Sequence, residues 1–292
     1  MTRPNPTDPI AINAVLVAVR QAADVVCDRW SLTLILAAFL GERRFAGFLV
    51  RTGMASRLAA DRLQTLAIQG LLAKEPYSRR PLRHDYHLTP MGLQFFEVVR
   101  QMVRWRQIWR PDPQDPLLPL VEAAGPLDLD LRCRHCGNDL TARDIDLRLS
   151  PAQLQAMPAK QIARRRTTLA AGTGDGLLGP VLEIFGDKWG IELLICAFLR
   201  LRRFGEFRAQ TGIAANILTD RLARLTGAGI LSRSAQGYRL TARGMDLYGV
   251  LVAIQDWADA WLEPRYRSPV RLIHRNCGAV FTLPPTAPPT VS

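Results

Sequence analysis

One stretch of the chain is written twice. Asp28 to Leu72, DRWSLTLILAAFLGERRFAGFLVRTGMASRLAADRLQTLAIQGLL, returns as Asp187 to Leu231, DKWGIELLICAFLRLRRFGEFRAQTGIAANILTDRLARLTGAGIL, at an offset of 159 residues and without a gap. Direct comparison gives 19 identities over 45 positions, among them Asp28/Asp187, Trp30/Trp189, Arg43-Arg44-Phe45/Arg202-Arg203-Phe204, Thr52-Gly53/Thr211-Gly212 and Asp61-Arg62-Leu63/Asp220-Arg221-Leu222. An internal repeat constrains the fold before any single motif does. Two copies are too few for a solenoid, so the expectation is a duplicated domain. A length of 292 residues suits about two domains of ordinary size.

Within each repeat the punctuation is local. Ile10 to Val26 reads as a helix with few polar residues, which must bury much of its surface against the other repeat or another chain. Asp28 is placed to cap an apolar helix, Trp30 to Leu40, that Gly41 breaks. Phe45 to Arg51 is a short helix closed by Thr52-Gly53. Ala55 to Gln69 is a longer one with Leu58, Ala59, Leu63 and Leu66 inward and Gly70 as its stop. Short helix, Gly-containing turn and longer helix make a helix-turn-helix.

Leu71 to Tyr77 and His84 to Leu88 then read as strands around a basic loop, Ser78-Arg79-Arg80-Pro81-Leu82-Arg83, which is the wing of a winged helix. Pro90 opens a further helix running to about Trp109. The second repeat follows the same plan with a wing seven residues shorter, since Leu88-Thr89 matches Leu240-Thr241 at an offset of 152. Its wing loop is Ser234-Ala235-Gln236-Gly237, and Trp257 and Trp261 match Trp105 and Trp109.

Between the repeats lie a Pro-rich linker (111–126), two alternating runs (127–131 and 145–149) that read as strands around a cysteine turn, and a polar helix (150–170) before a Gly-rich hinge. Val270 to Ile273 and Val280 to Leu283 flank a second such turn. The expected fold class is mainly α with small β-hairpins (α+β): two winged helix-turn-helix domains in one chain, each followed by a short β-hairpin. The expected limits are 1–110 for the first winged helix, 111–170 for linker, hairpin and connecting helix, 171–264 for the second winged helix, and 265–292 for the last hairpin and a disordered tail.

Composition narrows the function classes. A formal net charge of +12 points to a polyanionic partner, of which nucleic acid is the commonest for a soluble basic protein. No apolar run reaches the roughly 18 residues of a membrane span. The polar, Pro-rich MTRPNPTDP is no signal peptide, and five cysteines do not make a secreted disulfide framework. The expected location is the cytoplasm, with the nucleoid. No phosphate-binding loop, nucleophile elbow or clustered His/Asp/Glu set is present, so an enzyme is not expected.

The motif set resembles the HxlR family of bacterial winged-helix regulators. The matching residues are Asp187-Lys188-Trp189, Arg203-Phe204, Gly212-Ile213, Arg221-Leu222, Gly229-Ile230-Leu231-Ser232-Arg233, Tyr238-Arg239-Leu240-Thr241-Ala242-Arg243-Gly244 and Trp257, with Tyr86-His87-Leu88-Thr89-Pro90-Met91-Gly92 in the first repeat. The resemblance covers roughly two-thirds of the chain and implies a DNA-binding repressor or activator. Members usually carry one such domain per chain and pair as dimers, so the tandem departs from the pattern. So do Ala55 and Ala214, which stand where the family has Ser at the start of the recognition helix.

A recognition helix offers its exposed N-terminal positions to the major groove. These are Ser56, Arg57, Ala60 and Asp61 in the first repeat, and Ala215, Asn216, Thr219 and Asp220 in the second. Arg pairs bidentately with guanine and Asn with adenine; contact with phosphate or water alone is the plainer alternative. Arg62 and Arg221 lie deeper in the helix and either reach a phosphate or pair with an acid. Arg43-Arg44 and Arg202-Arg203 either contact the DNA backbone or form a solvated basic face. Arg79, Arg80, Arg83 and His84 make the first wing strongly basic, whereas the second has little beyond Arg233.

Cys133-x2-Cys136 and His274-x2-Cys277 have ligand-like spacing, and together they would satisfy tetrahedral zinc if the two turns met. Otherwise they are independent turns with free thiols. Cys27 sits near the position where some members of the family resemble thiol-based redox sensors; burial is the alternative. Cys196, on an apolar helix, reads as core.

The reading favoured by these residues is a sequence-specific transcriptional regulator, in which two non-identical winged helices bind an asymmetric site on double-stranded DNA. The repeats would form a pseudo-dimer with recognition helices about one DNA turn, roughly 34 Å, apart, or each would pair with its copy in a homodimer. An unidentified small-molecule effector is a further partner class. The alternative function is a protein-interaction or effector-binding module whose second repeat no longer binds DNA.

Overall fold

Asp28 starts the first repeat: its carboxylate accepts the N–H groups of Trp30 and Ser31 at the head of α1 (Arg29–Phe39). The computed structural model describes residues 15–16, 23, 25, 28–80, 82–125, 127, 131–149, 179–262, 270–281 and 283. The expected N-terminal arm, most of helix 10–26, Cys27, the polar helix and hinge (150–176) and the tail lie outside the described residues.

Helix α1 is the centre of its unit, with Ser31 to Phe39 all buried. Around it pack α2 (Phe45–Thr52) and α3 (Ser56–Ile68), followed by a hairpin of β1 (Leu72–Arg79) and β2 (Leu82–Leu88), then α4 (Pro90–Gln94), α5 (Phe96–Trp109) and α6 (Leu118–Ala123). The second repeat gives α8 (Lys188–Phe198), α9 (Phe204–Thr211), α10 (Ala215–Gly227), β4 (Leu231–Ser234), β5 (Gly237–Leu240), α11 (Ala242–Met245) and α12 (Tyr248–Trp261). Between the repeats lie β3 (Ile145–Leu149) and α7 (Gly179–Phe185), and β6 (Val270–His274) follows the second. No helix among the described residues is long and apolar enough to cross a membrane.

The chain divides into two units, and these exchange a segment. One contains α1 to α6 together with α7, which precedes the second repeat in sequence yet packs on α1; the Arg29 N–H donates to the Gly186 carbonyl at 3.0 Å. The other contains β3, α8 to α12 and β6, together with Val15, Leu16 and Ala23, which precede the first repeat. Leu16 is fully buried.

Each wing is held by the same three devices. The Tyr86 and Tyr238 N–H groups donate to the Arg43 and Arg202 carbonyls, both at 2.8 Å, so the wing is anchored to the segment before the short helix. Their rings meet Phe48 and Phe207 edge-on at 6.1 and 6.2 Å. Thr89 and Thr241 accept the N–H of Gly92 and Gly244 and donate to the Gly70 and Gly229 carbonyls. A Cβ on Gly92 or Gly244 would overlap the carbonyl oxygen of Leu71 or Ile230, which is why glycine ends the Tyr-x-Leu-Thr-x-x-Gly run.

Four local readings change. The strands of the first wing run to Arg79 and start at Leu82, so most of the expected loop is ladder, with a bulge between Pro76 and Ser78 where Pro has no N–H to give. The last helix is broken after Gln94 and again after Met245. The expected linker contains α6, opened by Pro119 and drawn back by the Arg106–Asp115 ion pair at 2.8 Å. Finally, β3 pairs antiparallel with β6, from Ile145↔His274 to Leu149↔Val270. Among the described residues, those flanking each cysteine turn are joined by single bridges, Arg132↔Asp139 and Ile273↔Val280.

Neither recognition helix has a side-chain cap, because Ala55 and Ala214 occupy the N-cap in extended conformation (φ −61° and −64°). Ala55→Ser and Ala214→Ser should each stabilise the protein by about 1 kcal/mol, read as an upward shift of the denaturant midpoint; no shift in either would mean that these helix ends are already satisfied by another group.

Candidate nucleic-acid interface and thiol cluster

The helix-turn-helix is built identically in the two units. Thr52 and Thr211 donate their hydroxyls to the Phe48 and Phe207 carbonyls at 2.6 and 2.7 Å and accept the Met54 and Ile213 N–H groups at 3.4 Å. Gly53 and Gly212 between them are left-handed, and Met54 and Ile213 are buried. This turn delivers α3 and α10 with one face against the core: Ala59, Leu63 and Leu66 in one, Leu218, Leu222 and Leu225 in the other. The opposite face is open. Ser56, Arg57, Ala60 and Asp61 are exposed, and so are Ala215, Asn216, Thr219 and Asp220.

The deeper arginines are occupied from within. Arg62 faces Asp28 at 3.5 Å with both side chains partly exposed. Arg221, at the same position of the second repeat, is buried between Asp187 and Asp220. Its guanidinium takes the internal partner of the two that the sequence left open. Asp187 caps no N–H of α8, unlike Asp28 in α1, and its second oxygen is buried without a partner among the described residues.

The basic rim differs between the units. In the first, Arg44, Arg79, Arg80 and Arg83 are exposed and Arg43 is half-buried. Arg44 lies over the Tyr77 ring at 5.0 Å and 3.8 Å from Asp85. Tyr77 was not singled out from sequence; an aromatic beside a basic wing was the available signal. In the second unit Arg202, Arg203 and Arg233 are exposed, with Arg233 over Tyr238 at 5.7 Å. The Glu206 carboxylate accepts the Arg203 and Arg202 N–H groups at 2.9 and 2.8 Å, which holds it below its ordinary pKa and ties this segment to the head of α9. The first repeat has Gly47 there. Ile217, also unforeseen, is a partly exposed apolar side chain beside Asn216.

The second unit holds two further features. A cavity of about 980 Å³ is lined by Ile145, Phe198, Leu251 and Tyr248 and reaches Arg202 and Tyr238 at the wing. The Tyr248 hydroxyl is buried without a partner among the described residues, and burial raises its pKa well above the usual range. In addition, the turn after β6 meets the turn before β3. Cys133, Cys136, His274 and Cys277 place one ligand atom each within 4.8 Å of all the others. Burial pushes the Cys133 thiol up, but the N–H groups of Cys136 and His135 together with the Cys136 and Cys277 thiols outweigh it and bring it from an ordinary 9.0 to about 6. Cys196 is fully buried in α8.

Comparison with known proteins identifies what the chain is similar to. The family model described as HxlR-like helix-turn-helix matches residues 25–114 and 184–266. The HTH-type transcriptional regulator Rv3095 of Mycobacterium tuberculosis is 33% identical over 130 residues, which span 44% of this chain and 82% of the relative. YtfH of Escherichia coli, another HTH-type transcriptional regulator, is 29% identical over 94 residues, 32% of this chain and 75% of the relative. The crystal structure of PA1607, a transcription-factor candidate, is similar to 42% of this chain and 78% of its own, at 24% identity and a TM-score of 0.30.

The two ion pairs make a matched test. Arg221→Ala strands the buried Asp187 carboxylate and should cost about 3–5 kcal/mol, whereas Arg62→Ala breaks a half-exposed pair and should cost about 1 kcal/mol or less. Denaturant unfolding of both variants checks this; equal losses would show that the two pairs sit in equivalent surroundings.

Proposed function

Since this chain belongs to the HxlR-like helix-turn-helix family, a class of DNA-binding transcriptional regulators and not of enzymes, we propose that its two winged units read the two halves of one asymmetric operator on double-stranded DNA. The observation that carries the reading is the contrast of the exposed helix faces: Ser56 and Arg57 in α3 against Ala215 and Asn216 in α10, on otherwise matching frames. Arg57 suits a guanine edge and Asn216 an adenine edge. Thr219 lies one turn further along the same face, and Ile217 is available for a thymine methyl. Arg43, Arg44, Arg79, Arg80 and Arg83 in the first unit, and Arg202, Arg203 and Arg233 in the second, contact phosphates. Arg62 and Arg221 are left out of this set, because they hold Asp28 and Asp187.

On this reading the repeats act as a pseudo-dimer, so the functional species is one chain of 32.5 kDa. Light scattering at that mass supports it, and a stable mass of twice that value favours a homodimer with four winged helices. Selection of bound duplexes from a random library should return two unlike half-sites about one helical turn apart. The Arg57→Ala variant should lose preference in one half only; a palindrome, or loss in both halves, would overturn the asymmetric reading.

A second reading has its own observation. The cavity beneath the second wing, with the unpartnered Tyr248 hydroxyl in its wall, favours an apolar effector that carries a hydrogen-bond acceptor. In that version the second unit senses and the first binds. Footprinting separates the two: two adjacent protected major grooves support the operator reading, one supports the sensor.

The wings should differ in salt dependence. On a selected duplex, replacing both Arg79 and Arg80 by Ala should flatten the slope of log affinity against log salt by about 1.8, since each phosphate contact contributes about 0.9. Fluorescence anisotropy over a salt series measures it, and an unchanged slope removes the first wing from the interface.

A further inference from the structure

We propose that Cys133, Cys136, His274 and Cys277 bind one structural zinc ion, which clasps the turn after the first repeat to the turn after the second. The site shares no residue with the proposed DNA interface, so either reading can fail without the other.

Start with the turns. In the first, the Gly137 N–H donates to the Cys133 carbonyl at 2.8 Å, and the Cys133 N–H to the Asn138 carbonyl at 2.8 Å. In the second, the Gly278 N–H donates to the His274 carbonyl at 2.8 Å, and the His274 N–H to the Ala279 carbonyl at 2.9 Å. Gly137 and Gly278 are left-handed at φ 73° and 70°, a conformation that costs other residues more. The two turns are therefore the same knuckle built twice. Each aims its first ligand and the residue three positions on towards a common point. Sequence spacing showed a ligand pair in each turn; only the fold shows that the four meet, across 144 residues for Cys133 and Cys277.

Three close contacts within the cluster match the edges of a tetrahedron. Zinc–sulfur bonds of about 2.3 Å and zinc–nitrogen bonds of about 2.0 Å put neighbouring sulfurs about 3.8 Å apart and a sulfur and nitrogen about 3.5 Å apart. Cys133 Sγ lies 3.7 Å from Cys277 Sγ. His274 Nδ1 lies 3.4 Å from Cys136 Sγ and 3.2 Å from Cys277 Sγ. A disulfide would need about 2.05 Å and would leave the imidazole facing two sulfurs with no role. His274 is fully buried and Cys133 nearly so, while Cys136 is exposed and offers an entry path.

The chemistry selects the metal. Three thiolates and one imidazole are soft, borderline ligands that suit zinc and do not suit magnesium or calcium. Four protein ligands fill the tetrahedron and leave no open position, so the ion is structural and not catalytic. Its place explains its use. β3 and β6 make a two-stranded sheet whose strands come from opposite sides of the second winged helix. An isolated pair of strands is marginal in water, and bringing such distant segments together carries a loop-closure cost. The Arg275 side chain adds an ion pair to Asp146 at 2.7 Å, and the Arg275 backbone N–H donates to the Asp144 carbonyl at 2.8 Å. The ion would lock the end of that sheet.

Metal analysis of the purified full-length chain should find one zinc per chain. Cys133→Ser and Cys277→Ser should each lose it, and Cys196→Ala should keep it. Cobalt added to the chelator-treated chain should give thiolate-to-cobalt charge-transfer absorption. If the serine variants fail to fold, thermal melting of the unaltered chain decides: a strong chelator should lower the midpoint, and zinc but not magnesium should restore it. A folded chain without stoichiometric metal, or a midpoint indifferent to chelator, overturns the proposal, as does stoichiometric iron in place of zinc.

Discussion

In both units a carboxylate at the head of the central helix meets an arginine 34 residues later on the recognition helix. In the second unit the pair is buried and ties the recognition helix to the core, whereas in the first it is half-exposed. The two copies solve it differently. Asp28 divides itself between the N–H groups of α1 and a half-exposed Arg62. Asp187 gives up the cap and is buried with Arg221, while one of its oxygens has no partner among the described residues. A charge pair in the interior adds little net stability but is costly to break, so the second unit is the less tolerant of change at this point.

What was legible in the sequence was what the chain encodes locally. The turn of the helix-turn-helix acts within a few residues; the Thr that closes the wing and the Gly beneath it reach back to the end of the recognition helix, but their identities survive in both repeats and so were legible as a motif. The exposed positions of α3 and α10 were legible for the same reason, since helical periodicity alone decides which face is left over. Partners distant in sequence were not. The alternation of Ile145 to Leu149 marks a strand but says nothing of β6, because a ladder's register is information shared between two strands. Arg62 and Arg221 look identical in the sequence, and only packing separates a half-exposed pair from a buried one. The breaks after Gln94 and Met245 lack the Gly or Pro that would announce them at that point.

The unequal wings follow from the same division. The frame of each wing is fixed by Tyr, Thr and Gly, so length and charge at the tip vary without disturbing the core. The first repeat uses that freedom for two long strands and three exposed arginines. The second shortens the hairpin and instead anchors the segment before α9 with Glu206.

The exchanged segments bear on how such a chain can be cut or built. The helix of the first unit that is written after the linker, and the residues of the second unit that are written before the first repeat, mean that neither half of the gene encodes a whole unit. A protein ending at the linker would lack α7 and leave part of α1 bare. In this chain both segments are supplied intramolecularly, so the exchange is independent of protein concentration.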